Sequence, residues 1–408
     1  MGICECTTHI THPAESINGK HSMRFIHTAD WHLGRLFHGL HLTDDQAFVL
    51  EQLIDLVRDA KPDAVIVAGD IYDRAVPPPE AVDLLDQVLS RLVIDLEVPV
   101  ILIAGNHDSP GRLNFGARLL AGRRLYVTGN LPEACKPLVL NDVHGPVHFY
   151  SVPFAEPAMV RACLKSDAVT DPQTAMVAIL DRIRSTHTTG ERRVLIAHAF
   201  VAGGDGCESE RPLSVGGAGT IDAACFHGFH DVTLGHLHRP QSLAANGDEK
   251  TLHYSGSLLK YSFDECDQHK HIYIVDMDAA GVCTREAVWL KPRRDVRRIA
   301  GTMAELLQGP ADGLSKEDYL EVMLMDEGPV LDAMGLLREV YPHVLHLRRP
   351  EAVAGTTSDR PNVRTTGDAD LFKSFFKHVT GNDLTPDQET AFVATVDAMH
   401  TAEREAKL

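Results

Sequence analysis

From Phe25 onward, short continuous apolar runs alternate with stretches whose apolar residues recur every three or four positions. The runs at 64–68 and 98–104 predict buried strands. Leu50, Leu53, Ile54 and Val57 share one face of a predicted helix, and Thr43 with Gln46 predicts a capping box at its start. Pro77-Pro78-Pro79 stops a loop and opens a second helix, with Val82, Leu85, Leu89 and Leu92 on one side. Further strands are predicted at 193–197, 231–234, 252–255 and 271–276. Strands flanked by helices imply a layered α/β domain, and the later strand-rich stretch adds a second sheet. The expected fold class is a four-layer αββα sandwich.

After Lys291-Pro292 the pattern changes. Segments 319–325, 330–340 and 344–347 read as a small β-α-β unit, placing an accessory α/β capping domain at 293–350. Residues 351–368, rich in Gly, Thr, Asp and Pro, read as a linker. Two helices follow within 369–408, the second opening on Thr385, Pro386 and Gln388 as cap, first turn and cap partner. At the other end, residues 1–22 carry several His, Thr and Ser without periodicity and read as a disordered extension ahead of the main domain, 23–292.

Length and composition narrow the class. A chain of 408 residues exceeds one ordinary core, which agrees with the division above. The longest apolar runs stop well short of the ~20 residues a membrane span needs. The polar first twenty residues lack the apolar core of a secretory signal, so a cytoplasmic location without membrane contact is expected. Eight cysteines without a C-x-x-C pair read as reduced thiols, which excludes a zinc ribbon or a disulfide scaffold. A net charge of −18 counts against an enzyme that leans on a broadly basic surface to hold nucleic acid. Local basic clusters at Arg293, Arg294, Arg297, Arg298 and at Arg348, Arg349 offset it in part.

Five short blocks follow predicted strands and carry the chemistry: Asp30-Trp31-His32, Gly69-Asp70, Gly105-Asn106-His107-Asp108, His198, and Gly235-His236-Leu237-His238. Residues two apart at a strand end share a face, so Asp30 and His32 can reach one ion together. Asp70 can project over the sheet edge and bridge two cations. Asp30 and Asp70, the Asn106 amide and the imidazoles of His32, His198, His236 and His238 suit two hard or borderline divalent ions. Such ions, ~3.5–4 Å apart, lower the pKa of a shared water and clamp an in-line displacement at phosphorus. His107 is left for proton donation to the leaving oxygen, with Asp108 orienting it or binding the turn's backbone. Taken singly, each block is weak: with 23 histidines, an H-x-H pair arises somewhere by chance. In this order, each after a strand, they define a two-metal phosphoesterase site.

At these blocks the sequence resembles the calcineurin-like metallophosphoesterases, whose pattern is D-x-H, G-D, G-N-H-D/E, a later H and G-H-x-H. The resemblance assigns Asp30, His32, Asp70 and His238 to one ion, and Asp70, Asn106, His198 and His236 to the other, with His107 catalytic. Within that superfamily, Ile26 to Gly34, Gly69-Asp70-Ile71-Tyr72-Asp73, Tyr254 to Ser257 and above all Ser262-Phe263-Asp264-Glu265-Cys266 are similar to the bacterial SbcD nuclease family. The resemblance implies a manganese-dependent (or magnesium-dependent) DNA nuclease in repair, replication and recombination. It would act 3′→5′ on duplex ends and cut single strands and hairpins. The 369–408 arm would grip an SbcC-like coiled-coil ATPase, with a homodimer inside a heterotetramer. Arg35, Asp73 and Lys260, beside matched blocks, are candidate DNA contacts; some relatives carry histidine where this chain has Asp73. The runner-up is a phosphoesterase for a nucleotide, cyclic nucleotide or phosphoprotein, which would have no need of the accessory domain and arm. A catalytically dead scaffold would show a missing ligand, and none is missing.

Overall fold

The computed structural model describes residues 21–131, 135–188, 190–210, 219–246, 249–350 and 368–405. The leader expected at 1–22 and the linker expected at 351–368 lie almost wholly outside them. Contacts divide the chain into two units, Met1–Val296 and Arg297–Leu408.

The first unit is built on two six-stranded sheets. One runs Cys283–Trp289, His271–Met277, Met23–Thr28, Ala64–Val67, Val100–Ile103, Leu125–Thr128. Its last four strands are mutually parallel. The other runs Gln241–Asn246, Glu249–Tyr254, Asp231–Gly235, Arg192–His198, Gly145–Val152, Leu138–Asp142 and is parallel through its middle four. Parallel strands covered on both faces read as unbroken apolar runs, which is why AVIV at 64–67 and VILI at 100–103 were recognisable. The sheets meet through Phe25, Ile66, Ile101, Phe149, Val194 and Ile196, with Phe25 edge-on to Phe149. Helix Pro172–Arg184 covers the far side of the second sheet through Met176, Ile179, Leu180 and Ile183. Helix Thr43–Ala60 buries Val49, Leu50, Leu53, Ile54 and Val57. The result is the expected αββα order of layers.

Three local expectations change. The first helix starts without a side-chain cap, because Gln46 is fully buried and its amide is used elsewhere. In helix Pro79–Ser90 the core face is Ala81, Leu84, Leu85 and Val88; Val82 lies 43% exposed. The strands Leu138–Asp142 and Gly145–Val152, the hairpin strand Gln241–Asn246 and helices Pro157–Leu164 and Pro172–Arg184 carried no signal strong enough to predict.

The second unit contains a three-stranded sheet, Val296–Gly301, Tyr319–Leu324 and Val344–Arg348, whose first strand begins at the junction. Helices Met303–Leu306 and Ala333–Val340 cover it, burying Leu306 and Leu337 against Leu320, Val322 and Leu324. Helices Asp368–Thr380 and Pro386–Glu405 follow, with Phe372 stacked on Phe392 at a centroid distance of 3.8 Å. The cap at Thr385 forms as predicted: its N–H donates to Gln388 Oε1 (2.9 Å), and Gln388 N–H returns to Thr385 Oγ1 (3.4 Å).

One buried ion pair holds the start of the fold. Arg192 is bidentate on Asp142 at 2.8 and 2.6 Å, and the carboxylate also accepts Met23 N–H (2.7 Å) and His144 N–H (2.8 Å). Burial opposes ionisation of Asp142, but the Arg192 bonds and the two N–H groups outweigh it and hold the carboxyl below its usual value. Asp142→Ala strands a guanidinium that is 5% exposed. It should destabilise the first unit by about 3–5 kcal/mol in denaturant or thermal unfolding. In the parent protein this carboxylate's contribution is complete above the unfolded pKa of about 3.9. It is lost as pH falls through the depressed folded value. A variant that unfolds with the parent across that range would remove the pair from the stability account.

Candidate active site

All five blocks sit at the carboxyl ends of parallel strands, where the two sheets open on one edge. The strand pairing of Met23–Thr28 with Ala64–Val67 continues into their loops: Asp30, His32 and Leu33 N–H donate to the carbonyls of Gly69, Asp70 and Ile71 at 2.9–3.0 Å. This zip turns both loops inward together. The turn demands unusual backbone: Asp30, His32 and Asp70 have φ of 52°, 46° and 48°, and His236 has φ of 105°. Left-handed conformations at four non-glycine residues of one site store strain where side chains must converge. The glycines serve close approach. A Cβ on Gly105 would overlap the Asp70 carboxylate, and one on Gly235 would overlap the Ala68 carbonyl.

Two groups of ligand-type atoms result. Asp30, His32 and His238 bring one ligand atom each within 4.8 Å of one another, as do Asp70, His198 and His236. Asn106 joins the second, its Oδ1 at 2.9 Å from His198 Nε2 and 3.0 Å from His236 Nδ1. Asp70 Oδ2 lies between the groups, 3.6 Å from His32 Nε2 and 3.5 Å from His198 Nε2. His32 and His238 face each other Nε2 to Nε2 at 3.0 Å. Seven expected ligands therefore meet, every one but Asn106 buried.

These donors fit divalent cations. His198 Nδ1–H donates to the Ala68 carbonyl (2.9 Å), directing Nε2 at the Asn106 and Asp70 oxygens. Lone pairs crowd lone pairs unless positive charge lies among them. Among protein groups alone the charge is poorly matched. Burial pushes Asp30 well above the ordinary carboxyl range, and it pushes His32 and His236 down to about 3. His198 is pushed up to about 9, because Asp70 and Asp30 outweigh the opposing effect of burial. Burial also opposes Asp70, yet His198 and its neighbours hold that carboxylate well below its usual value. A proton on His198 thus does part of what a metal cation would do better.

His107 stands beside the cluster, its ring 4.7 Å from that of His32. Its Nδ1–H donates to the Asp73 carbonyl (2.7 Å), leaving Nε2 free. Asp108 binds backbone, not the His107 ring: it accepts N–H groups of Gly105 (2.8 Å), Ile71 (3.1 Å) and Tyr72 (3.0 Å). Burial and the Asp70 charge nevertheless push its carboxyl up to about 7. Of the candidate DNA contacts, Asp73 faces His32 Nδ1 (3.5 Å) and Arg35 (2.9 Å). Arg35 also donates to the Ser209 carbonyl (3.0 Å) and lies over the Tyr261 ring. Lys260 is 10% exposed, its ammonium on Asp295 (2.8 Å) and the Cys266 carbonyl (2.7 Å). All three are committed to protein partners.

Sequence reasoning missed Gln46. Its amide donates to the carbonyls of Trp31 (3.1 Å) and His32 (2.7 Å), and its oxygen accepts Gly34 N–H (3.1 Å). It therefore grips the D-x-H loop from the first helix; its position three residues after Thr43 disguised it as a cap.

Residues 23–151 match the family described as calcineurin-like phosphoesterase, and residues 292–380 match the type 5 capsule protein repressor C-terminal domain. Fold and site define a calcineurin-like metallophosphoesterase, a class of divalent-metal phosphoester hydrolases. The SbcD subunit of the SbcCD nuclease from Staphylococcus saprophyticus is 34% identical over 368 residues, 90% of this chain and 96% of that one. Its counterpart in Staphylococcus epidermidis is 32% identical over 362 residues, 89% and 95% of the two chains. The chain belongs to the SbcD family. The crystal structure of TT1561 of Thermus thermophilus aligns with a TM-score of 0.40 at 12% identity, covering 66% of this chain and all of that one.

The Gly105 contact gives a direct test of the cluster. Gly105→Ala presses a Cβ on both the Asp70 carboxylate and its backbone N–H, and should cost at least about 10- to 100-fold in metal affinity. Elemental analysis and a metal titration measure it; parent-like binding would show that the approach relaxes harmlessly.

Proposed function

We propose that the chain is the nuclease subunit of a two-subunit DNA-processing enzyme. It would hydrolyse phosphodiesters 3′→5′ from duplex ends, with ATP-dependent help from an SbcC-like partner, and cut single strands and hairpins. The observation that carries this is the pair of ligand groups sharing Asp70, with the His107 imidazole alongside. One ion would be held by Asp30, His32, Asp70 and His238, the other by Asp70, Asn106, His198 and His236. Manganese suits this mixture of carboxylate, amide and imidazole. When bound, the ions supply a nucleophile at neutral pH and compensate charge on the phosphate.

The protein's own groups do the rest. Asp30 also accepts His236 N–H at 2.9 Å, so one carboxylate fixes a ligand from the other sheet. His107, its tautomer set by the Asp73 carbonyl, presents Nε2 for proton donation to the leaving oxygen. Asp73 and Arg35 are assigned the positioning of His32 and of the loop at Ser209. Among the described residues no helix is long and apolar enough to cross a membrane, consistent with the cytoplasmic site of action proposed here. Phe115, 87% exposed, lines an apolar groove of about 490 Å³ with Val82 and Leu120 and offers a surface for the proposed homodimer.

The decisive experiment is cleavage of a labelled single-stranded circle and a hairpin with manganese, magnesium or chelator. His107→Ala should keep both ions and lose about 10²- to 10⁴-fold in turnover. Asp70→Asn should lose metal and activity together. Cleavage that survives chelator, or a His107→Ala enzyme near normal turnover, would overturn the assignment. If the parent hydrolyses a generic phosphodiester but never DNA, even with partner and ATP, the substrate class is wrong.

The helices Asp368–Thr380 and Pro386–Glu405 leave Phe375, Val379 and Val393 exposed at 60%, 55% and 39%. We assign them to the ATPase partner. A chain ending at residue 350 should no longer co-purify with SbcC while retaining metal-dependent cleavage; continued co-purification would place the docking surface elsewhere.

A further inference from the structure

The Gly-His-x-His turn is gripped from behind by buried side chains that the metal-ligand pattern does not include. His238 Nδ1 lies 2.5 Å from Ser209 Oγ, and Ser209 Oγ lies 2.6 Å from Glu265 Oε1. Both partners are buried, Glu265 at 0% exposure and Ser209 at 8%. Glu265 Oε2 receives the Lys270 ammonium at 2.6 Å, which keeps the carboxylate charged and therefore an acceptor only. The single Ser209 proton goes to Glu265, so the hydroxyl accepts from His238 and Nδ1 must carry hydrogen. Nε2 then holds the lone pair, and Nε2 is the atom that faces His32 at 3.0 Å.

The same carboxylate fixes the surroundings of the ring. Its Oε1 also accepts Tyr261 N–H (3.1 Å) and shares with Asp264 the Ser262 hydroxyl (2.7 Å to Glu265), while Lys270 reaches on to the His238 carbonyl (2.8 Å). Glu210, next to Ser209, accepts the His238 N–H at 2.7 Å. Ring, amide and carbonyl of one histidine are thus each held by the 209–210 segment or the Ser262–Lys270 segment. The Ser209–Glu265 bond joins these two segments to each other.

We propose that Glu265, acting through the Ser209 hydroxyl, is a positioning residue that sets the His238 tautomer and aims Nε2 at the metal position shared with Asp30 and His32. The proposal rests on the reading of His238 as a metal ligand. It also gives a task to the Ser262-Phe263-Asp264-Glu265-Cys266 segment, which the ligand pattern leaves unexplained.

Ser209→Ala tests this with little disturbance, since Glu265 keeps its bonds to Lys270, Ser262 and Tyr261. The full-length chain, stripped with chelator, is titrated with manganese alone by calorimetry. In Ser209→Ala one of two equivalents should weaken about 10- to 100-fold while the other holds. Nitrogen-15 spectra of histidine-labelled metal-free protein should show His238 as the Nδ1–H form in the parent and a tautomer mixture in the variant. His238→Ala, run in parallel, identifies the resonance. Ser209→Ala with parent-like affinity and an unchanged tautomer would overturn the proposal. If His238→Ala also binds both equivalents as the parent does, the metal-site reading fails and the proposal with it. If His238→Ala loses one equivalent and Ser209→Ala binds both with parent affinity, the positioning role alone fails.

Discussion

Two carboxylates buried together are the constraint around which this fold is organised. Asp30 and Asp70 are 0% and 1% exposed, and among the described residues no lysine or arginine is a hydrogen-bond partner of either. Burying such charges uncompensated costs far more than a domain's net stability. Imidazoles answer part of that cost, and divalent cations held there would answer the rest. The local oddities follow from it. Left-handed backbone at Asp30, His32 and Asp70 turns the side chains over the sheet edge, and the bare Cα atoms of Gly105 and Gly235 let neighbouring loops close to contact. Strain of that kind persists only where the surroundings over-determine it.

The surroundings do so through polar groups one step removed from the ligands. Asp108 gathers N–H groups from two loops, Gln46 gathers carbonyls from a third, and Asp73 faces His32 while its own carbonyl orients His107. Asp108 and Gln46 fix the backbone of the loops and Asp73 faces the rings of His32 and His107, so on the proposed reading little reorganisation is left for the reaction itself. Preorganisation of this kind is where much of an enzyme's electrostatic catalysis resides. It also makes the site sensitive to substitutions at positions that never touch substrate.

The residues proposed as metal ligands were legible in the sequence because their signal is local: each block follows a strand with a continuous apolar run, and glycine marks the close approaches. The supporting groups were not, because their meaning depends on partners far away in the chain. Gln46 looked like a cap through its spacing to Thr43, although its partners are Trp31, His32 and Gly34. Ser209 and Glu265 are 56 residues apart and acquire their role only when both meet His238. Arg35 and Lys260 looked like phosphate contacts because they are cations beside motifs; nothing in sequence shows that Asp73 and Asp295 already hold them. Strands such as Leu138–Asp142, half-buried at the sheet edge, lack the continuous apolar run that betrays a central strand.

The same pairing bears on how an acidic chain meets a polyanion. Half of the six arginines in the basic clusters that softened the net charge of −18 are held by carboxylates within the fold: Arg294 by Asp45, Arg297 by Asp318 and Arg298 by Glu321. Arg24, Arg192 and Arg285 are likewise paired with Asp276, Asp142 and Asp231. A chain built this way projects little positive field, so long-range attraction of a nucleic acid, which scales with phosphates neutralised, is weak from this subunit alone. Short-range attraction is different, because two divalent ions among these buried side chains would place four positive charges where the scissile phosphate must sit. On the proposed reading, recognition therefore begins at the metal cluster, and a chain of this charge is best served by a partner that delivers the DNA to it.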